Sequence, residues 1–160
     1  MTKGVEKPGW VLHEQFIEHL KLFPMPCIDL LVDVKGNGIV WGRRLNPPMK
    51  GMLATFGVRV LMTDNSWEEL LKRVAKEEIG LDIDPKSCVF VGQQLVRFDQ
   101  EKDGIERLDL TTCWAITVES STRLTPNPRN YDKLVISSEI PDQAGEMYQR
   151  FVRQYFQSRF

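Results

Sequence analysis

Cysteine and histidine are scarce in this 160-residue chain, and neither charge sign is in excess. The three cysteines, Cys27, Cys88 and Cys113, stand far apart in apolar contexts, and no C-x-x-C spacing marks a zinc site. An odd number in strand-like segments is expected to be reduced, buried thiols of a cytoplasmic protein. Lys and Arg number 21 against 22 Asp and Glu, a net charge of −1, with no dense basic run. That argues against a broad nucleic-acid footprint. No apolar stretch approaches a membrane span, and the N-terminus lacks the apolar core of a signal peptide. Internal repeats and low-complexity segments are also missing. The only histidines, His13 and His19, lie near the N-terminus. What remains is an ordinary apolar fraction of 42% in a length that suits one domain over residues 1–160.

The order of segments is informative. Residues 1–9 are polar and read as a tail, followed by a short helix over Trp10–Leu22 that Pro24 and Pro26 end. Cys27–Val34 is strand-like, and Lys35-Gly36-Asn37-Gly38 turns it into Ile39–Gly42, a hairpin. Arg43–Lys50 reads as a loop and Leu53–Val60 as extended. Ser66, followed by Glu69, has the form of a capping box, and Gly80 is placed to end the helix between them. Trp67, Leu70, Leu71, Val74 and Ala75 make that helix's apolar face. Cys88–Val96 and Leu108–Val118 are strand-like around an exposed loop, Asp99–Glu106. A loop over Arg123–Asp132 leads to a short strand or helix approach at Lys133–Ser137, and Pro141 is expected to start the last helix. Strands before and around a central helix, with a second helix at the end, predict an α/β or α+β sandwich.

The central helix carries the chemistry. Arg73–Leu81 reads RVAKEEIGL, and Glu78 falls where the inward stripe predicts an apolar side chain. A carboxylate at the edge of a buried face usually has a partner or a metal. Glu77 points about 100° away around the helix, so it cannot stand in for a carboxylate four residues before Glu78. That position is Val74, which continues the apolar stripe. Arg73 with Glu77 also reads as an ordinary i, i+4 pair.

Arg73, Ala75, Glu77, Glu78, Gly80 and Leu81 fit the second half of the Nudix box, G-x5-E-x7-R-E-U-x-E-E-x-G-U with U aliphatic, whose first glutamate after the arginine is replaced by Val74. The resemblance extends upstream. Ile28-Asp29-Leu30-Leu31-Val32, Gly42-Arg43-Arg44-Leu45-Asn46-Pro47 and Phe56-Gly57-Val58-Arg59-Val60 resemble the L-D-F-I-V, G-K-R-x-N-x-P and P-G-G-R-V elements of the GDP-mannose mannosyl hydrolase branch, which also lacks that glutamate. The resemblance spans roughly Trp10 to Val118 and implies a Nudix-like α/β/α sandwich with a mixed central sheet. It further implies a site with Mg²⁺ or Mn²⁺ held by the Gly57 carbonyl and the Glu78 side chain, and Arg59 and Arg73 in the active site. Asp29, Arg44, Arg59 and Trp114 would contact a nucleotide sugar, and relatives of this branch pair as homodimers.

Three departures from the pattern stand out. Phe56-Gly57-Val58 replaces P-G-G, and the loop Leu61–Asn65 is one residue longer. The late loop Thr125–Asp132 lacks the branch's Gln–His pair, the glutamine a helper of the metal and the histidine a proposed general base. Asp132, Glu77 and Asp99 are the acids that could replace that base. Three functions remain open: a metal-dependent nucleoside diphosphate sugar hydrolase, a nucleotide-sugar-binding protein without turnover, and a hydrolase of phosphoanhydrides.

Overall fold

A computed structural model describes residues 13–159. The tail expected over residues 1–9 and the start of the first helix lie outside them. The elements are α1 (His13–Leu22), β1 (Met25–Val34), β2 (Gly38–Arg44), β3 (Leu53–Ala54), β4 (Phe56–Arg59), α2 (Trp67–Ile79), β5 (Val89–Phe98), α3 (Gln100–Asp103), β6 (Arg107–Val118), β7 (Tyr131–Ser137) and α4 (Glu146–Ser158). Seven strands form one mixed sheet in the order β3-β2-β1-β6-β5, with β4 beside β1 and β7 beside β2. β1 and β6 run parallel along their whole length, while the other pairs are antiparallel. α2 covers one face and α4 the other, so the expected α/β/α sandwich is present.

Alternation along β1 decides which face each side chain meets. Ile28, Leu30, Val32 and Val34 pack with Leu70, Leu71 and Val74 of α2. Leu31 packs with Met147, Phe151 and Tyr155 of α4. The odd positions also carry two acids. Asp33 accepts a hydrogen bond from the Tyr155 hydroxyl at 2.9 Å and pairs with Arg159. Asp29 has no such partner on α4 and faces the cleft described below.

α2 begins and ends where its caps predict. The Ser66 side chain accepts from the Glu69 N–H, and Glu69 reaches back to the Asn65 N–H at 3.2 Å, one residue before the cap. Gly80 ends the helix at φ 68°, a left-handed conformation suited to glycine. Val74 is fully buried, as a stripe residue should be, whereas Trp67 is 48% exposed and does not belong to the buried face.

Several boundaries differ from the sequence reading, each for a local reason. The loop expected over Asp99–Glu106 contains α3, because the Asp99 carboxylate accepts from the N–H groups of Glu101 and Lys102. β2 and β7 reach into the loops flanking them, since Arg44 pairs with Tyr131 after a bulge. Pro141 does not start α4. It opens a turn closed by the Ala144 N–H on its carbonyl, and Leu53 bridges to Ala144 before the helix begins at Glu146. The three cysteines are free thiols, with Cys27 only partly buried. No helix among the described residues is long and apolar enough to cross a membrane.

Candidate functional site

The cleft of about 590 Å³ lies where β4, β1 and β6 open between α2 and α4. Asp29, Arg44, Gly57, Arg59, Arg73, Glu77 and Glu78 all line it, although they come from four separate elements.

Gly57 is where the strands allow closest approach. It pairs with Asp29 across β4 and β1, and a methyl group on it would overlap the Asp29 carboxylate. The Val60 N–H donates to the Pro26 carbonyl at 2.9 Å, which sets the phase of this ladder. Gly57 therefore falls at a non-hydrogen-bonded pair, and its carbonyl points away from β1. The Arg59 carbonyl, two residues on and pointing the same way, receives Arg73 Nη2 at 2.7 Å. The outward edge of β4 thus faces α2.

Asp29 is only 4% exposed. Burial pushes its carboxyl up to about 7, against the opposing pull of Arg44 and a 3.3 Å bond from the Thr55 hydroxyl. Arg44 is held by the Pro47–Pro48 turn, with Nε donating to the Pro48 carbonyl at 2.7 Å. Burial disfavours its charge, but Tyr148, Tyr131, Asp29 and Glu78 outweigh burial and leave its pKa raised.

Arg73 is held by several partners. It donates to both Asp64 oxygens at 2.9 and 2.8 Å, and to Glu77 at 3.2 Å. This locks the Leu61–Asn65 loop onto α2 and makes Arg73 a brace for β4. Arg59 is exposed, with its guanidinium 4.7 Å from the Phe16 ring centroid.

Glu78 is 2% exposed, as its position in the stripe predicts. The late loop supplies its partners: Asn130 Nδ2 lies 3.0 and 3.1 Å from the two carboxylate oxygens, and Asn127 Nδ2 is 3.4 Å away. The loop is pinned there because the Asn127 N–H donates to the Glu78 carbonyl at 2.8 Å. Burial raises the Glu78 pKa, against the hydrogen bonds from Tyr131, Asn130 and Asn127. A loop with no Gln–His pair thus still delivers two carboxamides to the acid. Their spacing gave no sign of this, because contact with Glu78 is made only in the fold.

Trp114 does not line the cleft, contrary to the sequence reading. Alternation in β6 turns Thr111 towards the cleft and Trp114 to the α2 side, where it packs near Trp67 and Phe90. Of the replacement bases, Asp132 is paired with Arg43 at 2.8 Å and Asp99 caps α3. Neither lines the cleft; Glu77 does.

The reading from sequence missed Arg107, Asp109 and Thr111, every second residue of β6, all of which line the cleft. The signal was present as the alternation R-L-D-L-T. Asp109 accepts from Arg107 Nη2 at 2.9 Å, while the second approach, Nε to Oδ1 at 2.7 Å, is an ion pair too bent to count as a hydrogen bond. Burial raises the Asp109 pKa and Arg107 opposes that shift.

Can these groups hold a divalent cation? The Glu78 carboxylate and the outward Gly57 carbonyl are hard donors of the type Mg²⁺ and Mn²⁺ prefer, whereas Asn127 and Asn130 turn their amide N–H donors, not their carboxamide oxygens, to Glu78. Among the described residues, no three His, Cys, Asp or Glu side chains gather into a metal cluster. The set therefore fits a cation held by one carboxylate and completed by water and phosphate oxygens, a common arrangement for Mg²⁺.

No protein-family model matches the sequence, and no curated protein sequence matches it. Solved structures do. The NUDIX domain of Shewanella oneidensis NrtR, complexed with ADP ribose, is similar at TM-score 0.66 and 12% identity, over 94% of this chain and 100% of that one. A MutT protein from Methanosarcina mazei is similar at TM-score 0.69 and 13% identity, over 86% and 97%. A bifunctional NMN adenylyltransferase/ADP ribose pyrophosphatase from Francisella tularensis, complexed with AMP and a Mn ion, is similar at TM-score 0.65 and 13% identity, over 91% of this chain and 46% of that one. At such identities the likeness is one of fold: the chain has the Nudix fold.

Proposed function

We propose that this protein is a divalent-metal-dependent hydrolase of a nucleoside diphosphate sugar, of the kind that the GDP-mannose hydrolase resemblance implies. The observation that carries the reading is the convergence of Asp29, Arg44, Gly57, Arg59, Arg73, Glu77 and Glu78 on one cleft. ADP ribose and AMP in the fold neighbours support a nucleotide ligand. Glu78 and the Gly57 carbonyl would hold Mg²⁺ or Mn²⁺. When bound, the cation neutralises charge on the departing diphosphate.

The chain's own residues do the rest. Exposed Arg59 and the turn-held Arg44 supply guanidinium donors to diphosphate oxygens, a geometry that suits phosphate. Arg73, held by Asp64, Glu77 and the Arg59 carbonyl, keeps β4 and its carbonyls in place. Glu77, at the mouth of the cleft, accepts a proton from water. That water's oxygen bonds to the sugar's anomeric carbon, whose bond to the diphosphate oxygen breaks, releasing the nucleoside diphosphate and free sugar. The homodimer implied by the resemblance belongs to the same proposal.

A second reading, ligand binding without turnover, is favoured by one observation: amide donors already occupy both Glu78 oxygens. Proton and phosphorus NMR of GDP-mannose and of ADP-ribose, each with protein and Mg²⁺, separates the readings. The expected products from GDP-mannose are GDP and free mannose, lost in Glu78→Gln. A mononucleotide with a sugar phosphate would instead establish phosphoanhydride cleavage. Ligand line-broadening without products would establish the binding protein.

A further inference from the structure

The β6 floor of the cleft is built from a different kind of surface. β1 and β6 run parallel with Cys27 opposite Thr111 and Met25 opposite Asp109, so Cys27, Asp29, Asp109 and Thr111 share the sheet face towards α4. Arg107 pairs with Phe98 across β6 and β5 and joins the same face. Asp29, Asp109 and Thr111 are 4%, 3% and 1% exposed, yet all three line the cleft. The Thr111 hydroxyl has no hydrogen-bond partner among the described residues, an uncommon state for a buried polar group.

Resting on the reading of a nucleoside diphosphate sugar, we infer that Arg107, Asp109 and Thr111, with Asp29, form the subsite that recognises the hydroxyl groups of the sugar. Three physical features select that occupant. Arg107 is already paired with Asp109, so the diphosphate lies towards the guanidinium groups of Arg44 and Arg59. Phe98 is buried and the Arg107 guanidinium lies 5.4 Å from its ring centroid, so Phe98 offers no free face as a platform for a nucleobase. A neutral polyol suits what remains. Its hydroxyls donate to carboxyl oxygens and accept from a guanidinium and a threonine hydroxyl, while Met147 and Tyr148 of α4 line the same cleft beside its C–H groups.

The subsite sets specificity rather than chemistry, so its test compares each sugar conjugate with the parent nucleoside diphosphate. Ligand-observed NMR titrations with Mg²⁺, read before appreciable turnover, would use GDP-mannose against GDP and ADP-ribose against ADP. At least one conjugate should bind about tenfold or more tightly than its parent. Thr111→Val should cut that preference by roughly three- to tenfold and Asp109→Asn by tenfold or more, each leaving the parent diphosphate's affinity unchanged. Asp109→Asn disturbs the ion pair with Arg107 and could unfold the protein. Thr111→Val removes only an unpartnered hydroxyl and keeps the test decisive. An undiminished preference in Thr111→Val overturns the subsite. So does wild-type protein that binds GDP and ADP as tightly as their conjugates, and this outcome leaves the diphosphate site standing. Failure to bind any of the four compounds overturns the hydrolase reading and the subsite with it.

Discussion

Replacing Gly57 by alanine would probe the closest contact in the cleft. No positive φ protects this glycine, so alanine can adopt its backbone; only space forbids it. The added methyl would overlap Asp29 Oδ1 and lie 3.3 Å from Asp29 Cγ and 3.2 Å from the Ile28 carbonyl oxygen. The Asp29 carboxyl must rotate away, losing the Thr55 hydroxyl and moving off Arg44. Overpacking costs about 1–3 kcal/mol and the lost hydrogen bond about 1 kcal/mol. The stiffer unfolded chain offsets roughly 0.4–1 kcal/mol of this. The net loss is about 1–3.6 kcal/mol, at roughly 2–4 °C in Tm for each kcal/mol in a chain of this size. The decisive assay is a double-mutant cycle by urea or thermal unfolding with Asp29→Ala, which makes room for the methyl. The two changes should couple by about 1 kcal/mol or more, with the double variant more stable than the sum predicts. Additivity within about 0.5 kcal/mol would refute the contact.

Three further outcomes are expected. In metal-free buffer, Asp29 titrates near 7 when folded but near 3.9 when unfolded, so the folded state holds a proton that the unfolded state releases. Its stabilising contribution is complete below about pH 4 and lost as pH rises through 7, by at most about 1.4 kcal/mol per pH unit. Asp29→Asn should therefore show a flatter fall in urea-derived stability between pH 5 and 8, and identical slopes would contradict the assignment. Val74→Glu puts an unpaired carboxyl into a fully buried position and should cost about 3 kcal/mol or more without improving metal affinity. Unchanged melting with tighter Mn²⁺ binding would reverse that view. Trp114→Phe, on the α2 side, should leave GDP-mannose and ADP-ribose affinity within twofold, and a tenfold loss in titration would return Trp114 to the site.

Local patterns in the sequence were enough to place the α2 caps at Ser66 and Gly80, the hairpin turn at Lys35–Gly38 and the sandwich class. Each rests on residues close together in the chain, where backbone preference and alternation act directly. The burial of Glu78 was readable for the same reason, as a polar residue out of phase in an apolar stripe. Contacts between distant segments were not readable. The placement of Asn127 and Asn130 on Glu78 depends on the late loop docking against α2. The row of Arg107, Asp109 and Thr111 becomes a cleft floor only because β6 lies parallel to β1 with Asp29 on the same face. Trp114 shows the limit most plainly. Its motif pointed to the cleft, but side chains alternate across a strand, and the register of β6 turned it to the opposite face. The sequence by itself thus determined the bounds of α2, the β1–β2 hairpin and the burial of Glu78. Tertiary structure alone decided which polar groups share the cleft, because that depends on strand register and loop docking rather than on local preference.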